Sequence, residues 1–210
     1  MSKLIDKYII SFDNILKIIV NSDLKSKRLN PAKSKENQAE WSHSQLKESQ
    51  GQMRINHTGE ICAQALYAGH YSRHSDKKIN NWLELAKDEE KDHLVWCQER
   101  LIELKTKSSI LNPLFYGASY LIARTLSFLN QEWNLSFIKE TEYLVEGHLK
   151  EQENLLKHDQ RSLEIITQMK EDEKKHHDTA ESYGGRELMP ILRKGMVLAS
   201  KFMKKIVYFI

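Results

Sequence analysis

Leu83-Glu84-Leu85-Ala86-Lys87-Asp88-Glu89-Glu90-Lys91-Asp92-His93-Leu94-Val95-Trp96-Cys97 is the stretch on which the fold turns. Leu83, Ala86, Glu90, His93, Cys97, Leu101 and Leu104 recur at steps of three and four, the spacing of one helix face. Two ionisable residues therefore interrupt an apolar stripe. Burying a bare carboxylate is costly, so something must compensate it, and a metal cation is one candidate. A second stretch repeats the pattern: Ile166, Met169, Glu173, His176, Ala180 and Tyr183 share a face, again with a Glu and a His three apart.

A Glu-x-x-His pair alone is weak evidence. With 20 Glu and 9 His in 210 residues, roughly one match is expected by accident. Three occur. Glu40/His43 sits in a polar stretch with no apolar stripe and is the expected accident. Glu90/His93 and Glu173/His176 gain weight from their context.

Working outward, four long helical patterns follow Gly51, at about 53–74, 77–105, 131–157 and 161–183. Ser75-Asp76 is an N-cap signal, and Gly184-Gly185 closes the last pattern. Short connections make the first two helices one antiparallel hairpin and the last two another. The first and third helices each offer a core-facing Glu. Glu60 aligns with Met53, His57, Gln64, Tyr67 and Tyr71; Glu146 aligns with Leu135, Glu142, Leu149 and Leu156. In an antiparallel hairpin, residues at one height are equally far from the turn. The midpoint of 60 and 90 falls in Ser75-Asp76, and that of 146 and 173 falls in His158-Asp159-Gln160. Glu142, one turn from Glu146 on the same face, also reaches the turn by this test, so register favours Glu146 only slightly.

Glu60, Glu90, His93, Glu146, Glu173 and His176 thus converge as four carboxylates and two imidazoles, the donor set of ferritin-like di-iron or di-manganese bundles. Hard carboxylate oxygens bridge two cations, and one imidazole per metal completes each site. The expected fold is all-α: a ferritin-like four-helix bundle with a long hydrophobic crossover and flanking amphipathic helices. Asp172, His148, His177 and Asp178 are candidates to support the ligands or to sit in solvent. Tyr67, Tyr143 and Tyr183 read as core residues, and Cys62 and Cys97 as packing residues.

The crossover at 106–130 would reach about 37 Å as a helix, the length of a bundle. Arg124 is its only charge between Ile110 and Leu129. It reads either as a helix buried on the bundle or as a segment that dips into lipid or lines a greasy entrance. The tail from Met189 to Ile210 mixes five Lys and Arg residues with an apolar face and suits an anionic membrane surface. Residues 4–20 form another short amphipathic pattern, and 21–50 read as a mobile polar linker. The division is 1–50, an N-terminal helix and linker, and 51–210, the helical domain.

Composition removes other classes. Hydrophobic residues make up 40% and charged residues 29%, enough for a core and against general disorder. A net charge of +3, without zinc-finger or P-loop spacing, gives no case for nucleic-acid binding. Two cysteines make no disulfide framework and fit a reducing compartment. The N-terminus lacks signal-peptide character, and no uncharged apolar run of 18 residues occurs.

Met53-Arg54-Ile55-Asn56-His57-Thr58-Gly59-Glu60, Glu89-Glu90-Lys91-Asp92-His93-Leu94, Leu144-Val145-Glu146-Gly147-His148-Leu149 and Asp172-Glu173-Lys174-Lys175-His176-His177-Asp178 resemble, in order, the demethoxyubiquinone hydroxylase family of ubiquinone biosynthesis. The resemblance covers about residues 50–205. It implies two iron ions per chain, held by Glu60, Glu90, His93, Glu146, Glu173 and His176, and it prefers Glu146 to Glu142 because Val145-Glu146 aligns. It also implies hydroxylation of a polyprenyl demethoxyubiquinol ring with O2 and two electrons, by a protein peripheral to the cytoplasmic side of the cell membrane. Other ubiquinone-biosynthesis proteins are candidate partners. Iron storage, a manganese catalase, and a membrane-bound scaffold are the competing readings; the greasy crossover and basic tail argue against a soluble storage cage.

Overall fold

The computed structural model describes residues 17–18, 24–36, 40–70 and 76–210. The amphipathic pattern at 4–20 lies almost wholly outside the described residues. The elements are a short 3-10 helix, Pro31–Ser34, then α1 (His43–His70), α2 (Lys77–Glu103), α3 (Asn112–Ser127), α4 (Gln131–Leu155), α5 (Gln160–Ser182) and α6 (Pro190–Val207). No strand occurs among the described residues, so the all-α expectation holds.

Helix α1 starts about ten residues before the expected point. Ser42 and Gln45 form a reciprocal cap: Gln45 N donates to Ser42 Oγ (3.2 Å), and Ser42 N donates to Gln45 Oε1 (2.9 Å). This capping box satisfies two amides and starts the helix inside a polar stretch. Asp76 caps α2 by accepting from Lys78 N at 2.7 Å. Asp159 caps α5 by accepting from Ser162 N at 2.9 Å. Gly184, at φ +104°, ends α5 as the sequence led us to expect.

Helices α1, α2, α5 and α4 pack in a closed ring, in that order around the core. The two neighbouring pairs that join one hairpin to the other are also antiparallel. Between α1 and α4, Asn56 bonds Gln152 at one end and His70 bonds Asn134 at the other. Between α2 and α5, Arg100 bonds Ser162 at one end and Glu89 meets His176 at the other.

The crossover becomes α3, which runs parallel to α1. Thr58 donates to Asn112 at its start, and Gly69 meets Ala123 near its end. A Cβ on Gly69 would lie 2.7 Å from Ala123 Cβ and 2.9 Å from Tyr120 O, so the contact needs glycine. The crossover is only half covered. Its Tyr116 and Ala123 are buried, while Leu114 and Leu121 are 65% and 66% exposed. Helix α6 is similar: Leu198 and Phe202 are 70% and 62% exposed on a face flanked by lysines. No helix among the described residues is long and apolar enough to cross a membrane.

The stretch expected to be a slack linker is tied down where it is described. Asn30 bonds Glu99 on α2. The 3-10 helix packs on α5 with Ala32 buried.

Candidate metal centre

Four helices each send carboxylates to the middle of the ring. Two groups of ligand atoms form there, each with all its atoms within 4.8 Å: Glu60, Glu90, His93 and Glu173; and Glu90, Glu142, Glu173 and His176. All six residues are buried. Glu90 and Glu173 belong to both groups, so the two groups overlap along one edge.

Five of the six residues singled out in the sequence are therefore together, and Glu146 is not. Glu142 stands in its place. The reason is the α4–α5 turn. Helix α4 ends at Leu155 and α5 begins at Gln160, so the turn is centred earlier than His158-Asp159-Gln160. Glu142 lies as far before the end of α4 as Glu173 lies after the start of α5. The buried face of α4 runs through Leu135, Ile138, Glu142, Leu149 and Gln152. Glu146 sits off that stripe, half-buried, in a groove with Lys150, Lys201 and Lys204.

The imidazoles are turned alike. His93 presents Nδ1 to the cluster, 3.2 Å from Glu90 Oε2 and 3.5 Å from Glu173 Oε1. Its Nε2 faces outward, 3.1 Å from Asp172 Oδ2. His176 places Nδ1 2.9 Å from Glu90 Oε1, without hydrogen-bond alignment, and turns Nε2 to Glu89 Oε2 at 2.7 Å. Each imidazole is thus seated by an acid from the opposite helix, the residue just before that helix's own Glu-x-x-His. Asp172 was among the sequence candidates for support; Glu89 was not. The signal was present in the paired acids Glu89-Glu90 and Asp172-Glu173. Tyr67, expected to be plain core, is buried and donates to Glu142 Oε1 at 2.7 Å.

The donor set fits cations. Glu60 Oε2, Glu90 Oε1, Glu173 Oε2 and His176 Nδ1 are buried without a hydrogen-bond partner. Four such atoms in one place are costly unless something bonds them. Without a cation, protons take its place. Burial, then repulsion from Glu90, drives the Glu60 carboxyl well above the usual range. Burial, then Glu173 and Glu90, does the same to Glu142. Burial works against the charged form of His93 and His176, but the carboxylates around them prevail and raise both. Glu90 is pulled down against its burial by the two imidazoles. Carboxylates with imidazole and no thiolate suit iron or manganese better than structural zinc.

A cavity of about 570 Å³ reaches this cluster. It lies among α1, α3, α4 and α6, and Ile55, Leu66, Phe115, Ile122, Leu192 and Met196 line it. Its polar end is the carboxylate floor of Glu60, Glu90, Glu142 and Glu173. Cys62 also faces this cavity, whereas Cys97 is packed against Met169.

A family model described as ubiquinone biosynthesis protein COQ7 matches residues 47–206. The 3-demethoxyubiquinol 3-hydroxylase of Marinomonas sp. (strain MWYL1) is 43% identical over 204 residues, covering 97% of each chain. That of Acinetobacter baylyi is 39% identical over 207 residues, 98% of this chain and 97% of the other. That of Xanthomonas campestris pv. campestris (strain 8004) is 46% identical over 165 residues, 78% and 76% of the two chains.

Proposed function

Because the chain belongs to the COQ7 family of ubiquinone biosynthesis proteins, we propose that it is a di-iron monooxygenase that hydroxylates the ring of a polyprenyl demethoxyubiquinol with O2. The observation that carries the reading is an apolar cavity whose floor is a buried cluster of four carboxylates and two imidazoles. Glu60 and His93 would hold one iron, Glu142 and His176 the other, with Glu90 and Glu173 shared between them. Two irons held there would supply the activation of O2, with one oxygen atom going to the ring and the other to water at the expense of two electrons and two protons from an external reductant.

The chain's own residues prepare the site. Carboxylates offset the charge of two cations in a buried place where a bare acid cluster would repel itself. Asp172 and Glu89 fix the imidazoles with Nδ1 inward, so neither ring must reorient to bind. The apolar walls receive a greasy ring and its tail and exclude bulk water from the reacting end. Tyr67 holds Glu142 at its Oε1 and leaves the other oxygen free of that bond.

The substrate's prenyl tail belongs in lipid, and the exposed apolar faces of α3 and α6 flank the cavity. With Lys194, Lys201 and Lys205 on α6, they form a surface suited to the anionic face of a cell membrane. The protein would dock there from the cytoplasmic side without spanning it. The test is to measure iron per chain and to assay the conversion of demethoxyubiquinol with labelled O2. The parent should hold about two irons and incorporate one labelled atom per product. Glu173→Ala should lose both. Product formation by a metal-free variant would refute the mechanism.

A further inference from the structure

The two halves of the cluster match on the inside and differ on the outside. Asp172, which seats His93, has a side chain only 3% exposed, whereas Glu89, which seats His176, is 46% exposed. Asp172 accepts at Oδ1 from Lys175 Nζ on its own helix at 3.0 Å, and it is gripped as well from a distant part of the chain. Arg28 Nη1 donates to Asp172 Oδ2 at 2.7 Å, the same oxygen that receives His93 Nε2. Arg28 is itself fixed: Nε donates to Asp92 Oδ2 at 3.0 Å, and the guanidinium stacks over the Trp96 ring at 4.8 Å. The adjoining Lys27 amide donates to Asp92 Oδ1 at 2.6 Å. Among the described residues, no Lys or Arg pairs with Glu89 in this way.

We propose that Arg28 is a positioning residue: it clamps Asp172, which holds the His93 imidazole inward, and so makes the His93 half the tighter and slower-exchanging of two inequivalent metal half-sites. This rests on the reading that the cluster binds two metal ions. The planar guanidinium bonds two acids at fixed angles, which an ammonium cannot copy. Its charge is faced by both Asp172 and Asp92. The His176 half has the half-exposed Glu89 carboxylate behind it, which no Lys or Arg among the described residues bonds. The N-terminal segment thereby reaches the metal centre both through Asp172 and directly, since Arg28 Nη2 lies 3.3 Å from His93 Nε2.

The test is a Co2+ titration of the metal-free full-length chain, read by visible absorption and metal count, with release to a chelator. The parent should take up two ions in separable phases. Glu60→Gln should remove the tight phase and Glu142→Gln the weak one. Arg28→Gln should weaken the tight phase about 10- to 100-fold, the usual effect of losing an outer partner of a metal ligand, and leave the weak phase in place. Arg28→Lys should recover part of the loss. Glu89→Gln should shift the weak phase alone. If Arg28→Gln moves neither phase, or both equally, the inference fails while the metal reading stands. A parent chain that binds no Co2+ overturns both.

Discussion

Replacing Glu142 and Glu146 one at a time by glutamine decides which carboxylate α4 contributes. Glutamine has the shape of a neutral glutamic acid, the form that burial and the Glu173 and Glu90 charges favour at Glu142. Its amide oxygen can still accept from Tyr67, which otherwise would be left buried without a partner. Metal-free Glu142→Gln should therefore melt within about 1 kcal/mol of the parent. The response to metal should differ sharply. An ion present at a hundred times its dissociation constant adds about 2.7 kcal/mol per site. At about 2–4 °C per kcal/mol for a chain of this size, that is roughly 5–11 °C in Tm. Glu142→Gln removes the one carboxylate that belongs to the His176 half alone and should lose that half's share. Glu146→Gln, in its groove beside Lys201 and Lys204, should keep the whole response. The assay is thermal melting with and without Co2+, beside a metal count. Full response in Glu142→Gln and loss in Glu146→Gln would refute the assignment.

His57 and His70 are buried and held neutral, each with its pKa lowered from 6.5 to about 4 by burial. The unfolded chain takes up these protons near pH 6.5, so stability falls as pH drops from there to about 4, by about 3 kcal/mol for each histidine. Denaturant melts of the metal-free chain at pH 7 and pH 5 should show a shallower loss in His70→Gln; an unchanged slope would count against the burial argument. Arg100 bonds buried Asp159 at 2.6 Å, so Arg100→Met should cost about 3–5 kcal/mol, with most of it recovered in the double variant carrying Asp159→Asn. A melt showing no loss in the single variant would contradict this. Gly69→Ala should cost about 1–2 kcal/mol, because overpacking against α3 outweighs the gain in helix propensity. Gly147→Ala, which meets nothing within 4 Å, should instead raise Tm slightly; equal effects would deny the close α1–α3 approach.

The four bundle helices were legible because apolar stripes at steps of three and four ran long. The ionisable interruptions at 90, 93, 173 and 176 were legible for the same reason. The choice between Glu142 and Glu146 was not, since both lie near one stripe and the turn centre had to be known to about a residue. Caps fix that centre: Leu156 closes α4 and Asp159 opens α5. The early start of α1 was missed because Ser42 and Gln45 sit among polar residues where no apolar period announces a helix. The roles of Glu89 and Arg28 depend on contacts between segments far apart in sequence, which periodicity along one helix does not carry. Family likeness prefers Glu146 through a local dipeptide match, whereas packing brings Glu142 to the cluster.

The crossed seating of the imidazoles bears on how such a protein could be divided. Neither hairpin is self-sufficient, because the acid that aligns the ring of one is borne by the other. A fragment ending before the crossover would own half the donors and none of the alignment. Two identical hairpins set face to face would supply each other, which makes a paired ancestor with later fusion a workable origin and a lone half a dead end.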